Sequence, residues 1–509
     1  LSENKAKLPI HTRVFYGLGA PAYIIKESGF SLFLMIYYNQ VLGVSAALVG
    51  LALLIATIID AISDPLVGHF SDNFHSKWGR RHPFMYAAIL PVTLAYFFLW
   101  NPPAWVTGDM LFGYLLALAI AVRMMITFFE IPNTSLAPEL THSYDDRTTL
   151  LSIRSFFGWT IGFSMTMFTF AYLLKATPEY PVGVLNVDGW RAYGLLSAAF
   201  IFGAMTISSI GTHSRIPSLS TPPARKPFNA GETFRELIAT LGNRPFLILF
   251  AAALFGAMAS GINSSMITYV NTFFWEFDST QIAFLVSSAL IATPFAVVLA
   301  PYAGRKFGKK HAAIGIGFCA FTIAPLPITL RLLGLFPENG DPILHPIMFL
   351  YTMTDYILII ATIVLSVSMI SDVVEDSQLK TGRRSEGLLF AARGFASKCI
   401  TGVGIMTAGI MLTVIGFPEG AKPGEVAPEV IYNLGLMIAP TLFVLYMISL
   451  LIISQFPIDR KTHEANLAAL NKGGGSTGAP GGAGIVVASS ANPSALSAAP
   501  EPTQRQNTD

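Results

Sequence analysis

Apolar residues along this chain do not alternate with polar ones; they run on for twenty residues or so, break at short polar clusters, and run on again. A window of about 19 residues, suited to a bilayer-crossing helix, finds such runs at roughly 14–40, 44–70, 82–101, 109–133, 149–174, 191–213, 245–274, 279–303, 311–333, 345–371, 386–416 and 427–456. The pattern predicts an all-α membrane protein of about twelve transmembrane helices, several longer than the ~20 residues that cross a bilayer and so tilted or extended into the interface. The longest connection, 214–244, divides the helices six and six and contains "TFRELIATL", which reads as a short amphipathic helix. The expected organisation is a six-helix bundle over 1–213, a cytoplasmic linker over 214–244, a second six-helix bundle over 245–456, and a disordered tail over 457–509, where Gly, Ser, Ala and Pro follow no period.

Composition agrees, since 53% apolar and 12% charged residues cannot cover a soluble globule of 509 residues. The net charge of +2 gives no support to a nucleic-acid partner. The distribution of charge is more informative. One alternating set of connections carries Lys77, Arg80 and Arg81; Arg147; Arg215, Arg225, Lys226, Arg235 and Arg244; Arg305, Lys306, Lys309 and Lys310; and Lys380, Arg383 and Arg384, whereas the other has Lys175, Arg191, Arg331 and Lys422. Basic loops stay on the cytoplasmic side, so a multi-pass protein of the cell's inner (cytoplasmic) membrane with both termini cytoplasmic is expected. Cys319 and Cys399 lie in apolar runs and predict no disulfide framework. The opening "LSENKAKLPIHTR" leads into an apolar run without a small-residue cleavage site, so no removed leader is expected.

The connections "VGHFSDNFHSKWGRRHP" and "APYAGRKFGKKHAA" hold equivalent places in the two halves and share glycine followed by a basic turn. Related halves would place a binding site between them near mid-depth. Acids and bases are buried at that depth. Asp60 lies ~24 Å along an inward-running helix two at ~1.5 Å per residue, and Asp64 one turn deeper on the same face. An unpaired carboxylate there costs about 2.5 kcal/mol or more. Helix one adds Lys26, with Glu27 about 100° around the helix; helix four adds Arg123, Thr127 and Glu130; helix five Arg154; helix eleven Arg393 and Lys398. Cross-bundle pairing is the cheapest way to keep such groups in the membrane. Asp60, Asp64, Thr127 and Ser63 suit a small cation, Na⁺ if a metal, or a proton. Lys398 is then their counter-charge when no ion is bound. Arg123 reads either as a fork for an anionic head group or as the partner of Glu130.

At these residues the chain resembles the glycoside, pentoside and hexuronide cation symporters, the melibiose permease-like family of the major facilitator superfamily. The resemblance rests on "YGLGAPAYIIKESGFSLFLMIYYNQVLG", "DAISDPLVG" with "SKWGRRHP", "FEIPNTSLAPEL" and "SDVVEDSQLKTGRRSEGLLFAARGFASK", and covers nearly all of residues 12–456. It implies the major facilitator fold of twelve helices in two six-helix halves. It places the family's cation acids on Asp60 and Asp64, its helix-four threonine on Thr127, its coupling lysine on Lys398, its coupling and sugar-binding helix-four acid on Glu130, and its sugar-contacting arginine on Arg154. It implies symport of a sugar or glycoside driven by Na⁺ or H⁺, with no cofactor, by a monomer among membrane lipids. Lys26, Arg123 and Arg393 are further candidates to meet the substrate. Two family positions differ: Ile24 replaces an aspartate that accepts sugar hydroxyls, and Thr134 a tryptophan that stacks on the sugar ring. An amphipathic or anionic solute such as a lysophospholipid is therefore the alternative cargo. A cytoplasmic gate is expected where Arg80 and Arg81 meet Asp72, Glu375 or Asp376. An intramembrane prenyltransferase, with Asp60 and Asp64 opposed to Asp372 and Asp376 around Mg²⁺, is the competing enzyme reading.

Overall fold

Eleven helical spans of the computed structural model, two of them interrupted by a short turn at Leu136 and at Ala324 and Pro325, are long and apolar enough to cross a membrane, among the described residues 8–141, 144–219, 243–381, 386–458 and 462. They are Ala46–Asn73, His82–Trp100, Met110–Leu140, Thr149–Leu173, Val187–His213, Arg244–Phe274, Ser279–Phe307, Lys309–Leu332, Leu344–Glu375, Ala392–Val414 and Pro428–Ser454. The first expected span is present but broken. It runs as Ile10–Gly17 and Ala20–Ser28, then through π turns at Gly29–Phe33 and Tyr37–Val41 on either side of Leu34–Ile36. These pieces complete the twelve helices of the major facilitator fold.

Crowding accounts for much of the break. A β-carbon on Gly17 would stand 2.8 Å from Ile153 Cγ2, one on Gly19 would stand 2.8 Å from Ser208 Oγ, and one on Gly29 would collide with the Tyr96 hydroxyl. Small residues here let helix one lie against helices three, five and six. Each π turn adds a residue to the turn and re-aims the side chains beyond it, and Tyr37, Tyr38, Asn39 and Gln40 all point inward and are buried. Pro65 leaves helix two unbroken, and it continues from Ala46 to Asn73.

Large apolar side chains such as Phe70, Leu90 and Val298 remain exposed on the outer faces. That is the surface hydrocarbon requires and water does not tolerate over such an area. Cys319 is exposed and Cys399 half-buried; both are free thiols. Of the expected linker, only 214–219 and 243–244 fall among the described residues; its amphipathic helix and nearly all of the expected tail lie outside them.

Helices one to six pack mainly on one another, as do seven to twelve, and the two groups meet where helix two lies on helix eleven, helix five on helix eight and helix one on helix seven. Without a hydrophobic force between apolar helices in lipid, close van der Waals contact must hold such seams. A β-carbon on Gly50 would sit 2.9 Å from Met406 Cα, and one on Gly409 would collide with the Ala46 carbonyl. Polar bonds seal the same side of the molecule, the one with few basic loops. Tyr269 Oη donates to Asn39 Oδ1 at 2.8 Å, Gln40 Nε2 donates to the Pro418 carbonyl at 3.0 Å, and the Ala421 amide donates to Gln40 Oε1 at 2.9 Å. Gly409→Val should force helices two and eleven apart and cost about 1–3 kcal/mol, read as a lower thermal midpoint in detergent; an unchanged midpoint would mean the seam is looser than described.

Candidate functional site

The helical repeat puts Asp60 and Asp64 on one face of helix two, and helix four presents Arg123 and Thr127, also one turn apart, to that face. Arg123 Nη1 lies 3.2 Å from Asp60 Oδ2. Thr127 Oγ1 lies 3.0 Å from Asp60 Oδ1 and 3.2 Å from Asp64 Oδ1 and has one proton to share between them. Helix eleven, from the other half, supplies Lys398, whose Nζ is 2.5 Å from Asp64 Oδ2 and 3.2 Å from Asp60 Oδ2. Both Oδ2 atoms therefore have cationic donors, while the two Oδ1 atoms, and the Arg123 carbonyl at 3.0 Å, compete for the one Thr127 proton.

Helix one extends the cluster. Glu27 Oε1 is 3.9 Å from Arg123 Nη2, and Lys26 Nζ is 2.7 Å from Glu27 Oε2 while lying 4.3 Å from the centre of the Tyr23 ring. Three acids, Glu27, Asp60 and Asp64, thus face three bases, Lys26, Arg123 and Lys398. Equal numbers of opposite charges in mutual contact are what a low-dielectric interior requires. Exposure divides the group in two. The side chains of Asp60 and Arg123 are 1% and 4% exposed, whereas those of Asp64 and Lys398 are 21% and 28% exposed. The first pair is sealed in; the second borders open space.

A second cluster lies further along helix four. Arg154 of helix five donates to Glu130 Oε1 and to Asn133 Oδ1, and the Asn133 amide donates to Ser208 Oγ at 3.0 Å. The Tyr16 ring lies 5.8 Å from the Arg154 guanidinium. Glu130 Oε2 is buried with no hydrogen-bond partner, an acceptor left over in a place where an unmet polar group is costly.

Several expected partners are placed differently. Arg123 pairs with Asp60 and Glu27, not with Glu130, from which seven residues of helix already separate it. Ser63 turns back and donates to the Asp60 carbonyl of its own helix at 2.9 Å, so its proton is not directed at the acids. Lys26 does not reach for the interface; its side chain is fully buried and held by Glu27. Arg393 is half-buried and enters neither cluster. At the expected gate, Arg81 does meet Asp72 at 2.5 Å; the ion pairs of Arg80 and Arg81 among the described residues are made within the first half, without Glu375, and the Asp376 side chain lies outside the described residues. The acid that joins Arg80 (2.6 Å) and Arg81 (3.1 Å) is Glu139, in the same half. It sits in the stretch "FEIPNTSLAPEL", where its place at the membrane edge beside a basic loop was the available signal.

The paired-aspartate enzyme reading gains no support: the Asp376 side chain lies outside the described residues. Asp372 is held by Lys309 at 2.5 Å within the second half, and among the described residues no group of three or more His, Cys, Asp or Glu side chains is arranged to hold a metal ion.

A membrane-spanning helical bundle in two halves, tied across its middle by a buried ion cluster, defines a major facilitator transporter. Residues 15–460 match the family model described as MFS/sugar transport protein, and the chain belongs to that family, the group that includes glycoside, pentoside and hexuronide symporters. The isoprimeverose transporter of Lactiplantibacillus pentosus is 26% identical over 81% of this chain and 82% of its own. The sodium-dependent lysophosphatidylcholine symporter 1 of Gallus gallus is 23% identical over 92% of this chain and 90% of its own. Among solved structures, a D-xylose-proton symporter shares the fold with a TM-score of 0.56 at 15% identity, covering 89% of this chain and 97% of that one.

Removing Arg154 strands Glu130 in the bundle. Arg154→Ala should lower stability by about 3–5 kcal/mol, and Glu130→Gln combined with Arg154→Gln by clearly less; thermal midpoints of the purified proteins read both.

Proposed function

We propose that this protein is a cation-coupled symporter that carries a small solute across the membrane by alternating access. The observation that supports this most is Lys398. It reaches from the second half into the first and holds both Asp60 and Asp64, so whatever neutralises those acids also releases a contact between the halves. A coupling cation, H⁺ or Na⁺, entering at Asp64 takes over the role of the lysine, and the freed halves can rock. Asp60, Asp64 and Thr127 supply oxygens of the hard type that small cations take.

The solute seat is the Glu130 and Arg154 cluster, where Glu130 Oε2 offers an acceptor and the guanidinium a fixed donor face. By relationship the solute is a sugar or glycoside, as the name of the isoprimeverose transporter says of that relative. A second reading, an amphipathic or anionic solute, is favoured by one observation. Ile24 packs against Gly158 and Gly162 of helix five, and the Thr134 hydroxyl bonds to the Glu130 carbonyl at 2.8 Å, so neither position offers a carboxylate or an aromatic platform to a sugar. The lysophosphatidylcholine symporter is a relative with cargo of that kind in its name.

Reconstitution in liposomes with sugars, glycosides and lysolipids under imposed Na⁺ or pH gradients tests both. One solute should accumulate, and Asp60→Asn or Asp64→Asn should abolish accumulation. Normal coupled uptake by both variants would refute the assignment. Lys398→Ala should change cation affinity, and an unchanged affinity would uncouple the lysine from the acids.

A further inference from the structure

Asp60 and Asp64 are chemically alike and one turn apart, yet their surroundings are not. Asp60 Oδ2 is contacted by two cations, Arg123 and Lys398, each at 3.2 Å, while Asp64 Oδ2 is contacted at 2.5 Å by Lys398 alone. If Lys398 withdraws, Asp64 is left bare. Asp60 is not, because Arg123 remains. Arg123 is also fastened from behind by Glu27 at 3.9 Å and lies under the Phe30 ring at 4.7 Å, and its side chain is almost fully buried. A guanidinium does not lose its proton in a protein, so this positive charge is permanent.

We propose that Arg123 is a built-in cation that determines the choice of coupling ion: it satisfies Asp60, confines the exchangeable position to Asp64, and excludes Na⁺. This rests on the symporter reading and deepens it. A sodium ion needs several oxygens at once to replace its water. Here one of the two carboxylates it would use is already neutralised, and the ion would share that carboxylate with a fixed like charge. Glu27 and Lys26, paired at 2.7 Å, do not offset this, because together they add no net charge. The departure of Lys398 opens a single negative charge, too few ligands for Na⁺ and enough for one monovalent exchange at Asp64.

The test measures Na⁺ itself. The full chain in detergent is equilibrated with ²²Na⁺ at neutral pH, native beside Arg123→Gln and Arg123→Lys, with thermal midpoints to establish folding. The native protein should bind Na⁺ weakly. Arg123→Gln should bind on the order of a hundredfold tighter, the effect of removing a fixed like charge beside the carboxylates in an intermediate dielectric. Arg123→Lys, which keeps the charge, should stay near the native value. A folded Arg123→Gln that binds no better than native overturns the proposal. The native protein provides a measurement that needs no variant: exchanging choline for Na⁺ should leave its thermal midpoint in place, and a rise specific to Na⁺, the signature of ligand binding to the folded state, overturns it equally. Failure of the transport reading would look different, as an absence of solute accumulation under every imposed gradient with these Na⁺ results intact.

Discussion

Charge buried in hydrocarbon must find its opposite inside the protein, and in this molecule that need ties the two halves together. Lys398 is the link. It belongs to helix eleven, its partners Asp60 and Asp64 belong to helix two, and the seam between these helices is the one where Gly50 and Gly409 bring the backbones close. Steric fit brings the helices near enough for the salt bridges to form, and the salt bridges give that fit a second state: with the acids neutralised, the lysine has no reason to cross the seam. Packing alone would make a rigid body, and charge alone would not survive the membrane.

The two ion clusters on helix four divide the work along one helix. Thr127 faces the acids of helix two, while Glu130, three residues on, faces Arg154 of helix five. A shift of helix four is therefore felt at both, through a rigid element rather than a chain of loose contacts. The second cluster keeps one unpartnered carboxylate oxygen, Glu130 Oε2, which is why the solute seat is proposed there. In the first, each acid oxygen lies within reach of a donor, although the two Oδ1 atoms share the single proton of Thr127.

Much of this was legible in the sequence, for reasons that can be named. The span pattern depends only on composition over a window, and the membrane enforces it. Asp60, Asp64, Thr127 and Lys398 stand out because each violates that composition at a depth where violations are costly. The pairing of Lys398 with Asp60 and Asp64 and of Arg81 with Asp72 could be read, but that of the other bases could not. Arg123 shares helix four with Glu130 at a distance of two turns, and its partners Asp60 and Glu27 come from helices two and one, whose packing against helix four no local pattern reports. Proximity to the acids points to Ser63 as a ligand, but a serine in a helix can satisfy itself on its own backbone. The interruptions of helix one were invisible too: the break between Gly17 and Ala20 lies against Ile153 and Ser208, and the first π turn opens at Gly29 against Tyr96, all residues distant in sequence.

The equal count of acids and bases in the first cluster has an electrical consequence. An assembly whose charges cancel drags nothing through the transmembrane field, so in the symport cycle proposed above the unloaded carrier resets at any voltage. In that cycle, admission of one external cation breaks the balance. The membrane potential, worth about 2.3 kcal/mol per elementary charge per 100 mV, then acts on the loaded stroke alone, and the cycle acquires a direction from the resting neutrality of its own side chains.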